Sequence, residues 1–378
     1  MSHLHPPIVV TERPQLASLV GHLSGQPAIS VDTESNSLHA YQEQVCLIQF
    51  SVPGTDYLVD PLSDLDLGPL GEIFANSATV KVFHAAEYDV MCLRRDYGWR
   101  FDNLFDTMWA ARVLGWSHSG LGNILRERFG VRLDKRWQRY DWGRRPLAPE
   151  ALAYARLDTH YLLTLRDQLL AELKEKGRLE EAQEFFAQVA HSEPNFKPFD
   201  PNRDLWRVKG VWDLEPEDRA VLQELLIWRD NEARHRNRPP FKVVNDQTLV
   251  ALARTHPQNV EQMDGITGFK PYHQRRYGRK VLKAIARGVS ASAPQPPPRA
   301  PRPPDAVLQR YEALRSWRKE KAAKRSVDPD VIVSNATLWT LAHRAPRSLD
   351  QLTDLGALGP WQQKAYGTAL LSVLLAHS

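Results

Sequence analysis

The chain has 378 residues, 42% of them hydrophobic and 25% charged, which is enough for two or three domains with real cores. No run approaches the roughly 20 apolar residues that a membrane helix needs. The N-terminal stretch lacks the apolar centre of a signal peptide. Cys46 and Cys92 are the only cysteines, so disulfide frameworks and CxxC zinc patterns are excluded, and a reducing cytoplasm is expected. The formal charge of +4 hides an asymmetry: residues 201–378 hold 29 Lys and Arg against 18 Asp and Glu, while residues 1–200 hold 20 against 27. A basic half beyond an acidic half suits a phosphate-rich partner, although solvated basic helices would give the same count.

The first informative strand runs over 28–34. Side chains alternate along a strand, so Asp32 and Glu34 share one face with Ser30, while Ile29 and Val31 point to a core. Two like charges on one face are relieved by a divalent cation; taken alone, a strand-end turn explains the pair as well. Further strands are expected at 45–51, 56–60 and 79–84, the first apolar enough to be buried on both faces. Helices are expected at 86–96, 103–114, 119–128 and 149–175, the last with Leu162, Leu165 and Leu169 at helical spacing. This alternation predicts an α/β domain with a mixed central sheet over residues 1–197.

Beyond a linker at 198–212 the chain reads as helical. A second linker, 289–304, is proline-rich and is expected to act as a stiff, extended spacer. The blocks on either side, 213–288 and 305–378, are copies. Trp228-Arg229 matches Trp317-Arg318 at an offset of 89, and the same offset aligns Thr248-Leu249 with Thr337-Leu338, Pro257 with Pro346, Pro271 with Pro360, and Tyr277-Gly278 with Tyr366-Gly367. Two copies do not make a solenoid. Without convergent carboxylates or histidines, each reads as a small all-α binding module.

Two later positions complete the opening pair. Asp89 falls where strand 79–84 turns into a helix, and Tyr154 and Asp158 stand at i and i+4 in the 149–175 helix, on one face. Four acids and a phenol around one strand end suit phosphodiester hydrolysis, in which two hard cations about 3.5–4 Å apart can stabilise the attacking and leaving oxygens. Carboxylate ligands favour Mg²⁺ or Mn²⁺. On this reading Asp32, Glu34 and Asp158 bind the nucleophile-side metal, Asp32 bridges to a second, Asp89 supports that second ion, and Tyr154 holds or helps deprotonate the water. There is no P-loop, HExxH or nucleophile elbow, so ATP-driven and zinc chemistry are not supported.

The segments VDTES, FHAAEYDV and YARLDTHYLL resemble the three motifs of the DEDD exonuclease superfamily in its tyrosine branch, and the tandem copies resemble the HRDC domain. The resemblance implies an RNase H-like fold and 3′→5′ exonucleolytic release of 5′-mononucleotides. It also implies trimming of single-stranded RNA 3′ ends such as those of tRNA precursors. Its functional residues fall on Asp32, Glu34, Asp89, Tyr154 and Asp158. Ser35 departs from the aromatic or histidine often found there, which bears on base stacking and not on the metals.

Several other residues compete for roles. Asp106 reads as a helix N-cap, Glu87 as a solvated helix-start acid, and His84 as a satisfied strand-end histidine. Residues 126–145 interleave basic and aromatic side chains, as a single-strand groove does or as a surface loop with anchored aromatics does. Lys135, Gln138 and Arg145 are its candidates for gripping substrate. In the first repeat, Arg275 and Arg279 belong to a basic patch that the second repeat largely lacks, and they are the candidates for RNA backbone contact. Trp228 and Trp317 read as core. The rivals are a DNA-directed exonuclease of the same superfamily and a non-catalytic RNA-binding adaptor. A monomer is favoured, with no membrane partner.

Overall fold

The structure is a computed structural model that describes residues 5–298 and 301–377. Residues 1–4, 299–300 and 378, at the edges of the expected first and last domains and inside the expected proline-rich linker, lie outside the described residues. The chain divides into two compact units. One comprises residues 1–34, 45–194 and 301–378, the other residues 35–44 and 195–300.

The first unit is built on a six-stranded sheet of β1 (Ile8–Val10), β2 (Ala28–Ser35), β3 (Val45–Val52), β4 (Thr55–Val59), β5 (Val80–Phe83) and β6 (Leu104–Asp106), in the order β1-β4-β3-β2-β5-β6. β3 and β4 are antiparallel, whereas β2, β5 and β6 run parallel, so the sheet is mixed. β3 is buried along its whole length, as its apolar run predicts. β2 is buried from Ala28 to Val31 and opens at Asp32. The parallel strands deliver their C-terminal ends to one edge, the usual place for a site in such a sheet.

Helices α1 (Arg13–Ser24), α2 (Gly68–Ala75), α3 (Glu87–Tyr97), α4 (Thr107–Leu114), α5 (Leu121–Phe129), α6 (Pro149–Ala155), α7 (Leu157–His160), α8 (Leu162–Glu175) and α9 (Leu179–Ala190) complete this part of the chain. Two expectations are corrected. The segment 103–114 begins as β6, which pairs with β5 before Asp106 caps α4. The single helix expected over 149–175 is three, broken at Arg156 and Tyr161.

The second unit holds α10 (Pro201–Asp204), α11 (Pro216–His235), α12 (Pro240–Val243), α13 (Asp246–Thr255) and α14 (Pro271–Val289). Residues 198–212 are not a bare linker: Asp200 caps α10, and Leu205, Val208 and Val211 pack into this unit's core. The loop 35–44 also belongs here, with the Tyr41 hydroxyl donating to Asp230 at 2.7 Å.

The second repeat, α15 (Asp305–Arg325), α16 (Pro329–Ile332), α17 (Asn335–Arg344), α18 (Leu349–Asp354) and α19 (Pro360–Leu375), belongs to the first unit. The two repeats share their internal wiring. Arg229 donates to the Val244 carbonyl at 3.0 Å and Arg318 to the Val333 carbonyl at 2.8 Å, each 15 residues downstream. Trp228 meets Tyr277 edge-on, and Trp317 meets Tyr366 in the same way.

The repeats differ in what surrounds one arginine. In the first, Arg236 pairs with Glu232 one helical turn earlier, and Lys280 pairs with the same acid. At the offset of 89 these three positions are Arg325, Lys321 and Ala369. Facing a lysine where its counterpart faces an acid, Arg325 reaches α9 instead and clasps Glu181 at 2.8 and 2.5 Å. Glu184 of α9 accepts from the Trp361 and Gln362 amides, neutralising the positive end of α19. Val331 is fully buried within the sheet domain's own hydrophobic core. Gly115, in the left-handed region at φ 79°, lets the backbone of Ser326 close in; a Cβ there would sit 2.3 Å from the Ser326 carbonyl oxygen.

Candidate active site

A cleft of about 830 Å³ opens at the C-terminal end of β2 and is lined by Asp32, Glu34, Tyr154 and Asp158. One carboxylate oxygen from each of Asp32, Glu34 and Asp158 lies within 4.8 Å of the others. Asp89 stands apart from this trio, on the first turn of α3, where the Thr33 hydroxyl donates to it. Gln49 of β3, fully buried, brings its amide nitrogen to 3.5 Å from Asp32.

The turn into α3 is held by Asp106. Its carboxylate accepts from the Ala85 and Ala86 amides as well as from Met108 and Trp109, so one buried acid ties the start of α3 to the start of α4. Ala85 adopts a left-handed φ of 61°, a conformation uncommon for a residue with a Cβ. Asp106 is therefore a cap, as its sequence context predicts, and does not line the cleft.

Asp158 depends on a different network. Its helix, α7, is one turn long and cannot hold itself. The flanking residues anchor it: Arg156 pairs with Asp56 of β4 at 2.5 Å, His160 bonds the same carboxylate at 2.9 Å, and Thr159 shares a 2.7 Å bond with Ser51 of β3. Burial alone would raise Asp56, but hydrogen bonds from His160 and Ser51 and the Arg156 charge hold it below the usual carboxylate range. Tyr154, one turn earlier, is seated by the fully buried Trp142, with ring centroids 6.4 Å apart, and by Leu47, Leu58 and Ala151.

The acids are held in a state that an isolated protein disfavours. Burial, then the neighbouring charges of Asp89, Asp158 and Glu34, raises Asp32 well above its usual value. Glu34 is raised by burial and by Asp158 and Asp89. Burial and Asp89 push Asp158 up to about 8, and burial pushes Asp89 up to about 7. Burial, with Asp158, Glu34 and Asp32 nearby, also raises Tyr154, whose phenol stays protonated. Oxygen donors crowded into a low-dielectric site, each destabilised by the others, fit hard divalent cations.

The other sequence candidates separate. Lys135 and Gln138, on a 3₁₀ turn over Lys135–Arg139, line the cleft. Arg145 does not: Asp60 holds it at 2.5 and 2.6 Å, and the Cys46, Trp142 and Arg144 carbonyls take its remaining donors. Asn123, Arg126, Arg132 and His84, the last read from the sequence as a satisfied strand-end histidine, share the cleft wall without having been among the site candidates. The arginines stood in the basic segment 126–145, whereas nothing local marks Asn123. The interleaved aromatics of that segment meet edge-on, Trp137 with Tyr140 and Tyr140 with Trp142; Trp142 is buried in the hydrophobic cluster that holds Tyr154, and the other two, half-buried, pack against it. In the other unit, Arg275 and Arg279 are exposed on α14.

Comparison with known proteins agrees with this architecture. The family described as 3′-5′ exonuclease matches residues 7–174, and the HRDC domain matches 218–285 and 307–374. The chain is 31% identical over 355 residues to Ribonuclease D of Pseudomonas paraeruginosa, covering 92% of each. It is 30% identical over 370 residues to Ribonuclease D of Nitrobacter hamburgensis, covering 97% of this chain and 94% of that protein. Among solved structures, the catalytic core of RRP6 from Trypanosoma brucei superposes with a TM-score of 0.69 at 27% identity, over 77% of this chain and 82% of that one. Escherichia coli RNase D shares the fold over 98% of this chain and 99% of that one, with a TM-score of 0.68 at 24% identity. An exonuclease match over the sheet domain and a duplicated HRDC match thus occur on one chain that aligns with ribonuclease D over nearly its whole length, and this chain belongs to the ribonuclease D family of 3′→5′ exoribonucleases.

Proposed function

We propose that the protein removes 5′-mononucleotides one at a time from single-stranded RNA 3′ ends, tRNA precursors among them, with two Mg²⁺ or Mn²⁺ ions held by Asp32, Glu34, Asp89 and Asp158. The observation that carries this reading is the trio of carboxylate oxygens within 4.8 Å at the floor of a cleft walled by Arg126, Arg132 and Lys135. Bound cations would supply Lewis-acid stabilisation of the phosphoryl oxygens and a more acidic water. The chain's own residues do the rest. Arg126, Arg132 and Lys135 offset the negative floor and draw the phosphates in. Gln138 offers neutral hydrogen bonds at the same wall. Tyr154, protonated and fixed by Trp142, orients the attacking water through its hydroxyl and does not serve as a base. Asp158 keeps its direction through Asp56, Arg156 and His160.

The first HRDC repeat, with Arg275 and Arg279 exposed, holds RNA backbone. The second buttresses the catalytic body. The enzyme acts as a cytoplasmic monomer; no helix among the described residues is long and apolar enough to cross a membrane.

The test is a 5′-labelled single-stranded RNA incubated with Mg²⁺, Mn²⁺ or chelator. Wild type should produce a ladder shortening from the 3′ end only with metal. Asp32→Asn should abolish it, and Tyr154→Phe should slow it by about 10²-fold or more. Full trimming by Asp32→Asn would overturn the site assignment.

A further inference from the structure

His84 follows β5 and lines the same cleft as Asp32, Glu34, Tyr154 and Asp158. Its Nδ1 lies 2.9 Å from the hydroxyl of Thr107, which is fully buried at the start of α4. That hydroxyl donates its one proton to the Phe83 carbonyl at 2.9 Å. With its proton on the Phe83 carbonyl, the Thr107 oxygen accepts from His84, which assigns the ring's hydrogen to Nδ1. In that tautomer Nε2 is the ring's acceptor, on a residue that lines the cleft. Burial also holds the ring neutral, pushing its pKa down to about 4.

Gln138 and Asn123 on this wall can donate as well as accept, whereas this Nε2 can only accept. The carboxylates face cations, and the Arg126, Arg132 and Lys135 donors face phosphates. A phosphodiester offers only acceptors and cannot bond to Nε2. The donors of a single-stranded nucleic acid are base N–H groups and ribose hydroxyls. Base donors change position from one nucleotide to the next, and an enzyme that steps through any sequence cannot depend on them. The terminal 3′-hydroxyl is a further constant donor, but RNA and DNA share it, whereas the 2′-hydroxyl is present on every nucleotide of RNA and absent from DNA.

We propose that His84 is a specificity-determining residue whose Nε2 accepts a hydrogen bond from a ribose 2′-hydroxyl near the 3′ end, with Thr107 and the Phe83 carbonyl fixing the tautomer. This rests on the acid cluster being the site of cleavage.

The test pairs enzyme and substrate changes. RNA oligonucleotides carrying a single 2′-deoxy substitution at the last, second-last or third-last nucleotide are compared with all-RNA for wild type, His84→Ala and His84→Asn, with Mg²⁺. Wild type should lose about tenfold in kcat/KM at one of these positions, the worth of one well-placed hydrogen bond. His84→Ala should lose a similar factor on all-RNA and nothing more on the deoxy substrate, bringing the ratio close to one. His84→Asn, which keeps an acceptor, should retain part of the discrimination. A histidine that merely supported the loop would lower both substrates together and leave the ratio at its wild-type value, and that result overturns the proposal. So does a wild type indifferent to all three substitutions. Asp32→Asn, run alongside, tests the cleavage site separately, because trimming that survives it counts against the acid cluster whatever His84 does to the ratio.

Discussion

Arg325→Ala is expected to loosen the second repeat from the catalytic body. Arg325 meets both oxygens of Glu181, also bonds the Tyr366 hydroxyl, and lies 5.7 Å from the Trp361 ring. Glu181 is 0% exposed, and the Arg325 side chain is 18% exposed. Removing one member of a buried pair costs about 3–5 kcal/mol, because the other charge is stranded. Glu181 has a partial escape: burial already raises its pKa, so it can take up a proton. The partial exposure of Arg325 and this escape place the cost at the lower end, about 3 kcal/mol, or roughly two decades in the docking equilibrium at 1.36 kcal/mol per decade. Three domains need not unfold as one, so the readout should be local: native-state hydrogen exchange of α15 and α19 amides. Arg236→Ala in the first repeat is the matched control. There Lys280 remains 2.6 Å from Glu232, so that acid keeps a partner and the change should cost less than about 1 kcal/mol. Glu181→Leu with Arg325→Met together should recover most of the loss. Equal effects at the two arginines, or less than about 1 kcal/mol for Arg325→Ala, would refute the reasoning.

Three further outcomes are expected. Asp56→Ala strands buried Arg156 and frees α7, so trimming should fall steeply and exchange over residues 157–160 should rise; normal activity with faster exchange would separate Asp56 from Asp158. Asp89 and Asp158, raised to about 7 and about 8, hold protons more tightly when folded than in the unfolded chain near 3.9. Their contribution to the stability of metal-free protein therefore falls as pH rises from about 4 through 8, and Asp158→Asn should flatten that fall in thermal scans. Mg²⁺ should raise the melting temperature more at pH 8 than at pH 5, and equal shifts would contradict the sign. Charge reversal at Arg275 and Arg279 should weaken RNA binding and lower the log–log salt slope by about 1.4, at about 0.7 per single-strand contact; an unchanged slope would remove this surface from RNA binding.

Asp32 and Glu34 were legible because strand alternation and like-charge repulsion are local rules. The α/β class and the tandem copies came from the same kind of reading, periodicity and a constant offset. The breaks at Arg156 and Tyr161 were not legible. Apolar spacing continues across them, and what anchors the short helix is Asp56, 100 residues earlier. Arg145 misled for the same reason, since a guanidinium advertises its charge but not the Asp60 that claims it. β6 is three residues long, too short for alternation to show. Residues 198–212 looked like a linker by their polar and proline content, yet Leu205, Val208 and Val211 find a core. The swap of Glu232 for Lys321 was visible in the repeat alignment, but its meaning needed Glu181.

The catalytic body is discontinuous along the chain, closing only when residues 301–378 return to it, with Val331 entering its core. Synthesis proceeds from the N-terminus, and domains generally fold as units while the chain emerges. The sheet and its acid cluster are thus complete in sequence by Asp158, long before α19 exists to take the Glu184 carboxylate. A nascent or prematurely ended chain carries a bare Glu181 and Glu184 face and an unfilled core position. The last repeat is consequently part of the catalytic body's own packing: until it has been synthesised, Glu181, Glu184 and the core position that Val331 fills lack the partners they have in the folded chain.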